Sequence, residues 1–343
     1  MENTKRTELQ SLGEFGLIRR INANNTLQNP ESVRGIGDDA AVIDVGNQYL
    51  LLSTDMLVEG VHFDLSYVPL KHLGYKAVAV NVSDIAAMNG VPKQITVGLA
   101  LSNRFSVEAI DELYEGIRAA CRNYQVDLIG GDTTSSTSGL IISISVTGLV
   151  EKEKVVYRNG ARPNDVICVT GDLGAAYVGL QLLEREKQVF LTNPDMQPEL
   201  QGKDYLLERQ LRPEARTDFV HELRDLGIVP TSMIDVSDGL ASEILHLCTQ
   251  SGVGAHVFEQ KIPIAALTYD NAVELNLDPV TCALNGGEDY ELLFTIRQSD
   301  YDKIKNHPDV AFIGYMTDQP QTVSLVTEAG NQYPVKAQGW EHF

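Results

Sequence analysis

Acidic side chains recur where short apolar runs stop, and that placement constrains this chain more than any other feature. Asp38 and Asp39 follow Gly37, and Asp55 closes Ser53-Thr54-Asp55. Asp132 follows Gly130-Gly131, Asp235 and Asp238 flank Ser237, and Glu288 and Asp289 follow Gly286-Gly287. Asp84 stands apart, inside a helix predicted over Pro69–Asn89. There a spacing of three or four aligns Leu70, Leu73, Ala77, Val80, Asp84 and Ala87 on one face. A carboxylate in an apolar stripe needs a partner or a cation. Taken alone, Asp84 reads first as a cap for a nearby loop or as half of an ion pair. Taken with the others it points to metal. Two carboxylates about 4 Å apart repel by about 4 kcal/mol at an effective dielectric near 20, so a fold that gathers several needs counter-charge. Mg²⁺ fits, because it takes hard oxygen ligands and shares its shell with substrate phosphates. The hydroxyls of Ser53, Thr54 and Ser237 suit the same shell.

The runs between these acids alternate in kind. Strands are predicted at Ala40–Val45, Tyr49–Ser53, Gln94–Leu101, Asp127–Gly130 and Leu140–Leu149. Further on they fall at Asp165–Thr170, Met233–Val236, Glu291–Ile296, Ala311–Met316 and Thr322–Leu325. Helices are predicted from an N-cap at Ser106 to Tyr124, and at Gly174–Arg185, Pro213–Leu226 and Gly239–Ser251, with a polar loop from Thr192 to Lys203. The mixture indicates an α/β or α+β fold. The 343 residues suggest two domains. Charged residues and Asn159-Gly160 interrupt the apolar pattern near Val150–Arg162, which divides the chain into residues 1–150 and 151–343.

Charge and cysteine usage narrow the class. A net charge of −20 argues against nucleic acid as the main partner, since phosphate backbones demand a basic footprint. Cys121, Cys168, Cys248 and Cys282 form no Cys-x-x-Cys pair and read as buried reduced thiols. Met1 to Gln10 is polar, and no apolar run nears the ~20 residues of a membrane span. A cytoplasmic protein is expected.

Several phosphate and nucleophile motifs are missing. Gly202-Lys203 is followed by Asp204, so there is no P-loop. Gly35-Ile36-Gly37-Asp38-Asp39-Ala40 matches a loose dinucleotide pattern, but the residues before it make no convincing strand and its two aspartates would face a pyrophosphate without a metal. Neither Gly-x-Ser-x-Gly nor His-Glu-x-x-His occurs. Asn81-Val82-Ser83-Asp84 echoes Asp235-Val236-Ser237-Asp238, and Gly130-Gly131-Asp132 echoes Gly286-Gly287-Glu288, at offsets of 154 and 156 positions. The surrounding residues do not match, so chance or parallel use of one metal-binding device accounts for this better than duplicated halves.

Read in order, the motifs resemble those of the thiamine-monophosphate kinases. They are Gly13-Glu14-Phe15, Gly35–Ala40, Ser53-Thr54-Asp55, Glu59-Gly60-Val61-His62-Phe63, Lys76–Asp84 and Gly130-Gly131-Asp132-Thr133. The second half adds Asp235–Gly239, Gly286–Glu291 and Gly339-Trp340-Glu341-His342-Phe343. The resemblance implies an aminoimidazole-ribonucleotide synthetase-like fold, with two α/β domains and N-terminal domains that pair in a homodimer. It implies phosphorylation of thiamine monophosphate by ATP. It implies several Mg²⁺ ions on Asp39, Ser53, Thr54, Asp55, Asp84, Asp132, Asp235 and Asp238. Tyr114, Gly131, Asp132, Arg158 and Ser237 would contact ATP, and His62, Glu288 and Trp340 the thiamine phosphate. The phasing of Tyr114 on an apolar stripe fits core packing equally well. No catalytic side chain is expected beyond the metal ligands. Two other readings stay open: a superfamily synthetase with a different acceptor, and a non-catalytic acidic cation-binding protein.

Overall fold

A computed structural model describes residues 9–338. Helix α1 (Gly13–Asn22) precedes a six-stranded sheet. Its strands are β1 (Ser32–Arg34), β2 (Ala41–Asp44), β3 (Gln48–Val58), β4 (Val91–Leu101), β5 (Asp127–Ser135) and β6 (Ile141–Glu151), in the order β1-β2-β3-β6-β4-β5. Neighbours are antiparallel except β4 and β5. Helices α2 (Leu70–Ala87) and α3 (Val107–Tyr124) link the strands. Strict alternation decides which face they cover. Leu51 and Leu57 on β3, Ile95, Val97 and Leu99 on β4, and Ile142, Ile144 and Val146 on β6 are buried in one core with Leu73, Val78, Val82, Leu113 and Ile117. The intervening β3 residues Leu52, Thr54 and Met56 are exposed on the other face.

The second half holds β7 (Val166–Thr170), α4 (Ala175–Thr192), α5 (Asp204–Leu211), α6 (Thr217–Asp225), β8 (Ser232–Asp235), α7 (Leu240–Ser251) and β9 (Gly254–Phe258). It continues with α8 (Ala266–Glu274), α9 (Pro279–Asn285), β10 (Leu292–Ile296), α10 (Tyr301–Ile304), β11 (Val310–Thr317), β12 (Val323–Val326) and β13 (Gln332–Pro334). These strands form one sheet ordered β13-β12-β9-β11-β7-β10-β8. It is covered on both sides, so β10 is buried at every position. Leu293 packs towards α7, while Phe294 and Ile296 pack towards Phe219 and Val220 of α6.

Three sequence expectations need correction. Asp55 does not end its strand: β3 runs on to Val58 because all eleven of its residues pair with β6. The helix expected from Pro213 begins only at Thr217, and α5, a helix not anticipated, lies before it. The apolar stripe on α2 is in truth an almost fully buried helix, with Leu73 to Ser83 and Ile85 to Ala87 all inside. Its other side is covered by the second half, where Ala86 and Ala87 join the core of Met233 and Phe294. Three cysteines are buried as expected, Cys121 is half-buried, and all four are free.

Candidate active site

Strand β3 and helix α2 bring the first acids together. Ser53 and Asp55, two residues apart, share the strand face turned to α2. Ser53 Oγ donates to Asp84 Oδ2 at 2.5 Å, and the Asp55 N–H donates to Asn81 Oδ1 at 3.0 Å. Ser83 Oγ, next along α2, donates to Asp235 Oδ2 at 2.6 Å. One oxygen from each of Asp39, Asp84 and Asp235 lies within 4.8 Å of the others. The two echoing motifs therefore meet in space.

The electrostatics are those of an under-neutralised cluster. Burial, with Asp39 close by, pushes the Asp235 carboxyl up to about 7. Burial, with Asp39 and Asp238, pushes Asp55 up to about 6. Asp84 is held well above the usual carboxylate range by burial and then by Asp55, Asp235 and Asp39, against the hydrogen bond from Ser53. Arg158 offers one positive charge: its Nε and Nη2 donate to Asp39 Oδ1 at 3.1 and 2.6 Å. Asp39 Oδ2 is left buried with no hydrogen-bond partner. An orphaned oxygen among convergent carboxylates is what a hard divalent cation satisfies, so the donor set fits Mg²⁺.

The loop after β8 and the loop before β10 are bound to each other beside this cluster. Glu288 N–H donates to Ser237 O at 2.7 Å, Tyr290 N–H to Val236 O at 2.9 Å, and Val236 N–H to Glu291 O at 2.8 Å. Glycine is required at 287, where φ is +69° and an added Cβ would lie 2.4 Å from Ser237 O. Glu288 and Tyr290 adopt left-handed backbone without being glycine, at φ of 59° and 53°. Buried anchors hold that strain. Asp289 accepts from the Gly174 N–H at 2.8 Å, at the start of α4, and its burial pushes the carboxyl up to about 7. Glu291 meets Arg209 Nη1 and Arg216 Nη1, each at 2.7 Å. Burial alone would raise its carboxyl, but the two guanidiniums hold it below the usual range.

A separate cavity of about 380 Å³ lies at the sheet edge, lined by Val97, Tyr114, Leu128, Gly131, Asp132 and Thr133 among others. It brings together Tyr114, Gly131 and Asp132. A Cβ at Gly131 would lie 1.9 Å from Val97 O, so glycine is what lets β5 pair closely with β4 beside this cavity. The register Asp55↔Ile144↔Val97↔Gly131 sets the cavity three strands from Asp55, about 14 Å away at about 4.8 Å per strand.

Relatives carry the same organisation from end to end. Residues 37–150 match the family model described as AIR synthase related protein, N-terminal domain. The thiamine-monophosphate kinase of Bacillus subtilis is 35% identical over 338 residues, covering 97% of this chain and 100% of the relative. That of Aquifex aeolicus is 35% identical over 336 residues, covering 98% and 99%. The chain belongs to the thiamine-monophosphate kinase family. A solved structure described as AaThiL complexed with AMPPCP and TMP superposes with a TM-score of 0.84 at 34% identity, covering 99% of this chain and 100% of that one. The hydrogenase maturation protein HypE, at 19% identity and a TM-score of 0.68, shares the fold.

For a thiamine-monophosphate kinase family chain, the expected site residues separate into groups. Asp39, Ser53, Asp55, Asp84, Asp235 and Asp238 gather at the cluster. Thr54 does not: its hydroxyl lies on the opposite, exposed sheet face and donates to Ile144 O at 3.0 Å, because it alternates with Ser53 and Asp55. Asp132 also stands apart, on exposed β5 with the cavity. Arg158 lies against Asp39, and Ser237 holds Glu288 through its carbonyl. His62 sits in the turn after β3, where its Nδ1 accepts the Val58 N–H at 3.0 Å. Trp340 lies outside the described residues. Sequence reasoning missed Lys76, which ion-pairs with Glu288, and Arg209, Arg216 and Glu243. Lys76 was visible as a charge inside the helical apolar pattern.

Proposed function

We propose that this chain transfers the γ-phosphoryl group of ATP to thiamine monophosphate, giving thiamine diphosphate and ADP. The observation that carries this reading is the convergence of Asp39, Asp84 and Asp235 beside the strained loop that presents Glu288, in a chain of this family. Asp39, Ser53, Asp55, Asp84, Asp235 and Asp238 would hold Mg²⁺, with Asp132 acting at the nucleotide end beside Tyr114 and Gly131. Bound Mg²⁺ supplies charge neutralisation between two phosphate-bearing substrates. Arg158, already facing Asp39, adds positive charge for the triphosphate. The acceptor phosphate has a second pKa of about 6 and is largely dianionic at pH 7, so no side chain has to remove a proton from it. Glu288 faces the cationic thiazolium, with His62 and Trp340 at the same substrate.

A homodimer built on the N-terminal sheet completes the proposal. The face carrying Leu52, Thr54 and Met56 is uncovered, Ile129 is 65% exposed, and edge strand β5 is exposed along its whole length. Such a face and edge are suited to pairing with a second copy. The described residues contain no helix long and apolar enough to cross a membrane.

The test is ADP release from Mg-ATP with thiamine monophosphate or thiamine as acceptor. Release that requires thiamine monophosphate, with thiamine diphosphate formed in equal amount, supports the reading. Release independent of that acceptor, or equal release with thiamine, sinks it.

A further inference from the structure

Lys76 is an unusual residue for the middle of a buried helix. It is 3% exposed, on a helix otherwise filled by Leu73, Ala77, Val78 and Val80. Burying an ammonium is tolerated only when it is paired and hydrogen-bonded. Its Nζ meets Glu288 Oε2 and donates to Gln210 O at 3.2 Å. The Gln210 side chain donates to the same Glu288 Oε2 at 3.2 Å. Among the described residues, the other oxygen, Oε1, has only a long contact of 3.4 Å from the Tyr290 hydroxyl. The Glu288 carboxylate is thus clamped by one oxygen and open at the other, and its side chain is 29% exposed.

We infer that Lys76 is a positioning residue for the acceptor site, fixing Glu288 by Oε2 so that Oε1 faces the cationic part of thiamine monophosphate. This deepens the reading above and rests on Glu288 contacting that substrate. The clamp supplements the backbone. Left-handed φ at Glu288 and the hydrogen bond from its N–H to Ser237 O aim the side chain, and the charge-assisted contact from α2 selects its rotamer. Tyr114 and Gly131, at the far end of the proposed nucleotide site, lie with the separate cavity at β5, so the inference places the effect of Lys76 on the acceptor rather than on ATP.

The experiment is a double-mutant cycle of Lys76→Met and Glu288→Gln, read by KM for thiamine monophosphate, by KM for ATP, and by thiamine as a competitive inhibitor. Lys76→Met is expected to raise KM for thiamine monophosphate by about tenfold and to weaken thiamine similarly, with KM for ATP unchanged. In the Glu288→Gln background the same substitution should add less than about twofold, because Lys76 acts through Glu288. An equal effect in both backgrounds, or a matching rise in KM for ATP, overturns the positioning role. Glu288→Gln with unchanged KM for thiamine monophosphate and unchanged thiamine inhibition instead overturns the reading of Glu288 itself. Lys76→Arg keeps a donor in a buried setting. Should Lys76→Met fail to fold, restored affinity in Lys76→Arg relative to Lys76→Gln supports the inference, and equal affinities in the two contradict it.

Discussion

Replacing Asp235 by asparagine should make the metal-free protein more stable while abolishing its activity. Asp235 is 3% exposed, and its carboxyl is raised from 3.8 to about 7 by burial and by Asp39. A shift of about three units corresponds to about 4 kcal/mol of penalty on the ionised folded form. The sign follows from which state holds the proton. The folded protein keeps it up to about pH 7 and the unfolded chain loses it near 3.8, so stability falls as pH rises through that window. Asparagine removes the charge but weakens the bond from Ser83 Oγ, which returns about 1 kcal/mol. Because Asp39, Asp55 and Asp84 share the repulsion, the net gain is about 1–3 kcal/mol at pH 8. For a chain of this length that raises Tm by about 1–4 °C. The assay is thermal unfolding in EDTA at pH 8 and pH 5, then again with Mg²⁺. The variant should melt higher at pH 8, the gap should shrink at pH 5, and Mg²⁺ should raise the wild type more than the variant. A variant that melts lower than wild type in EDTA at pH 8 would show that the Asp235 charge carries no such penalty, and one that keeps wild-type turnover would show that it serves no metal.

Three further outcomes follow from other parts of the site. Asp289→Asn should flatten the pH dependence of stability between about pH 4 and 7, since the folded carboxyl is raised to about 7 while the unfolded one is ordinary; denaturant titrations that keep the wild-type slope contradict this. Gly131→Ala should lower stability by about 1–3 kcal/mol, because the new Cβ meets the β4 backbone at Val97 O at 1.9 Å and forces β4 and β5 apart; an unchanged melting curve contradicts this. Glu291→Leu should lower stability by about 3 kcal/mol, because it removes the buried carboxylate that Arg209 and Arg216 share and leaves Arg209 with Asp289 at 3.6 Å and Arg216 with the more exposed Asp218 and Asp309; an unchanged melting curve would exclude that account.

How much of this was legible in the sequence depends on distance along the chain. Ser106 capping α3 and the hydroxyl and acid residues on β3 follow from local rules, and the structure keeps them. The sequence spacing also implied that Thr54 could not share a face with Ser53 and Asp55, yet a motif reading groups all three. Asp84 read correctly as a misplaced acid, but the helix around it read as one-sided because the half that covers its other side begins some seventy residues later. The pairing of Glu291 with Arg209 and Arg216 joins residues 75 and more apart, with no periodic signal to link them. Asp132 shows the same dependence on long-range pairing: its motif resembles that of the other acids, and the strand order, which no local pattern gives, sets it three strands from Asp55.

The proposed chemistry rests on Asp39, Asp84 and Asp235 forming a seat for divalent cations that serves the phosphates. Equilibrium dialysis of Mn²⁺ against wild type and Asp84→Asn, with and without AMPPCP, tests it most directly. Wild type should bind Mn²⁺, more tightly with AMPPCP present, and Asp84→Asn should lose bound metal under both conditions. Equal stoichiometry and affinity in the two proteins would place the cation elsewhere and contradict the claim.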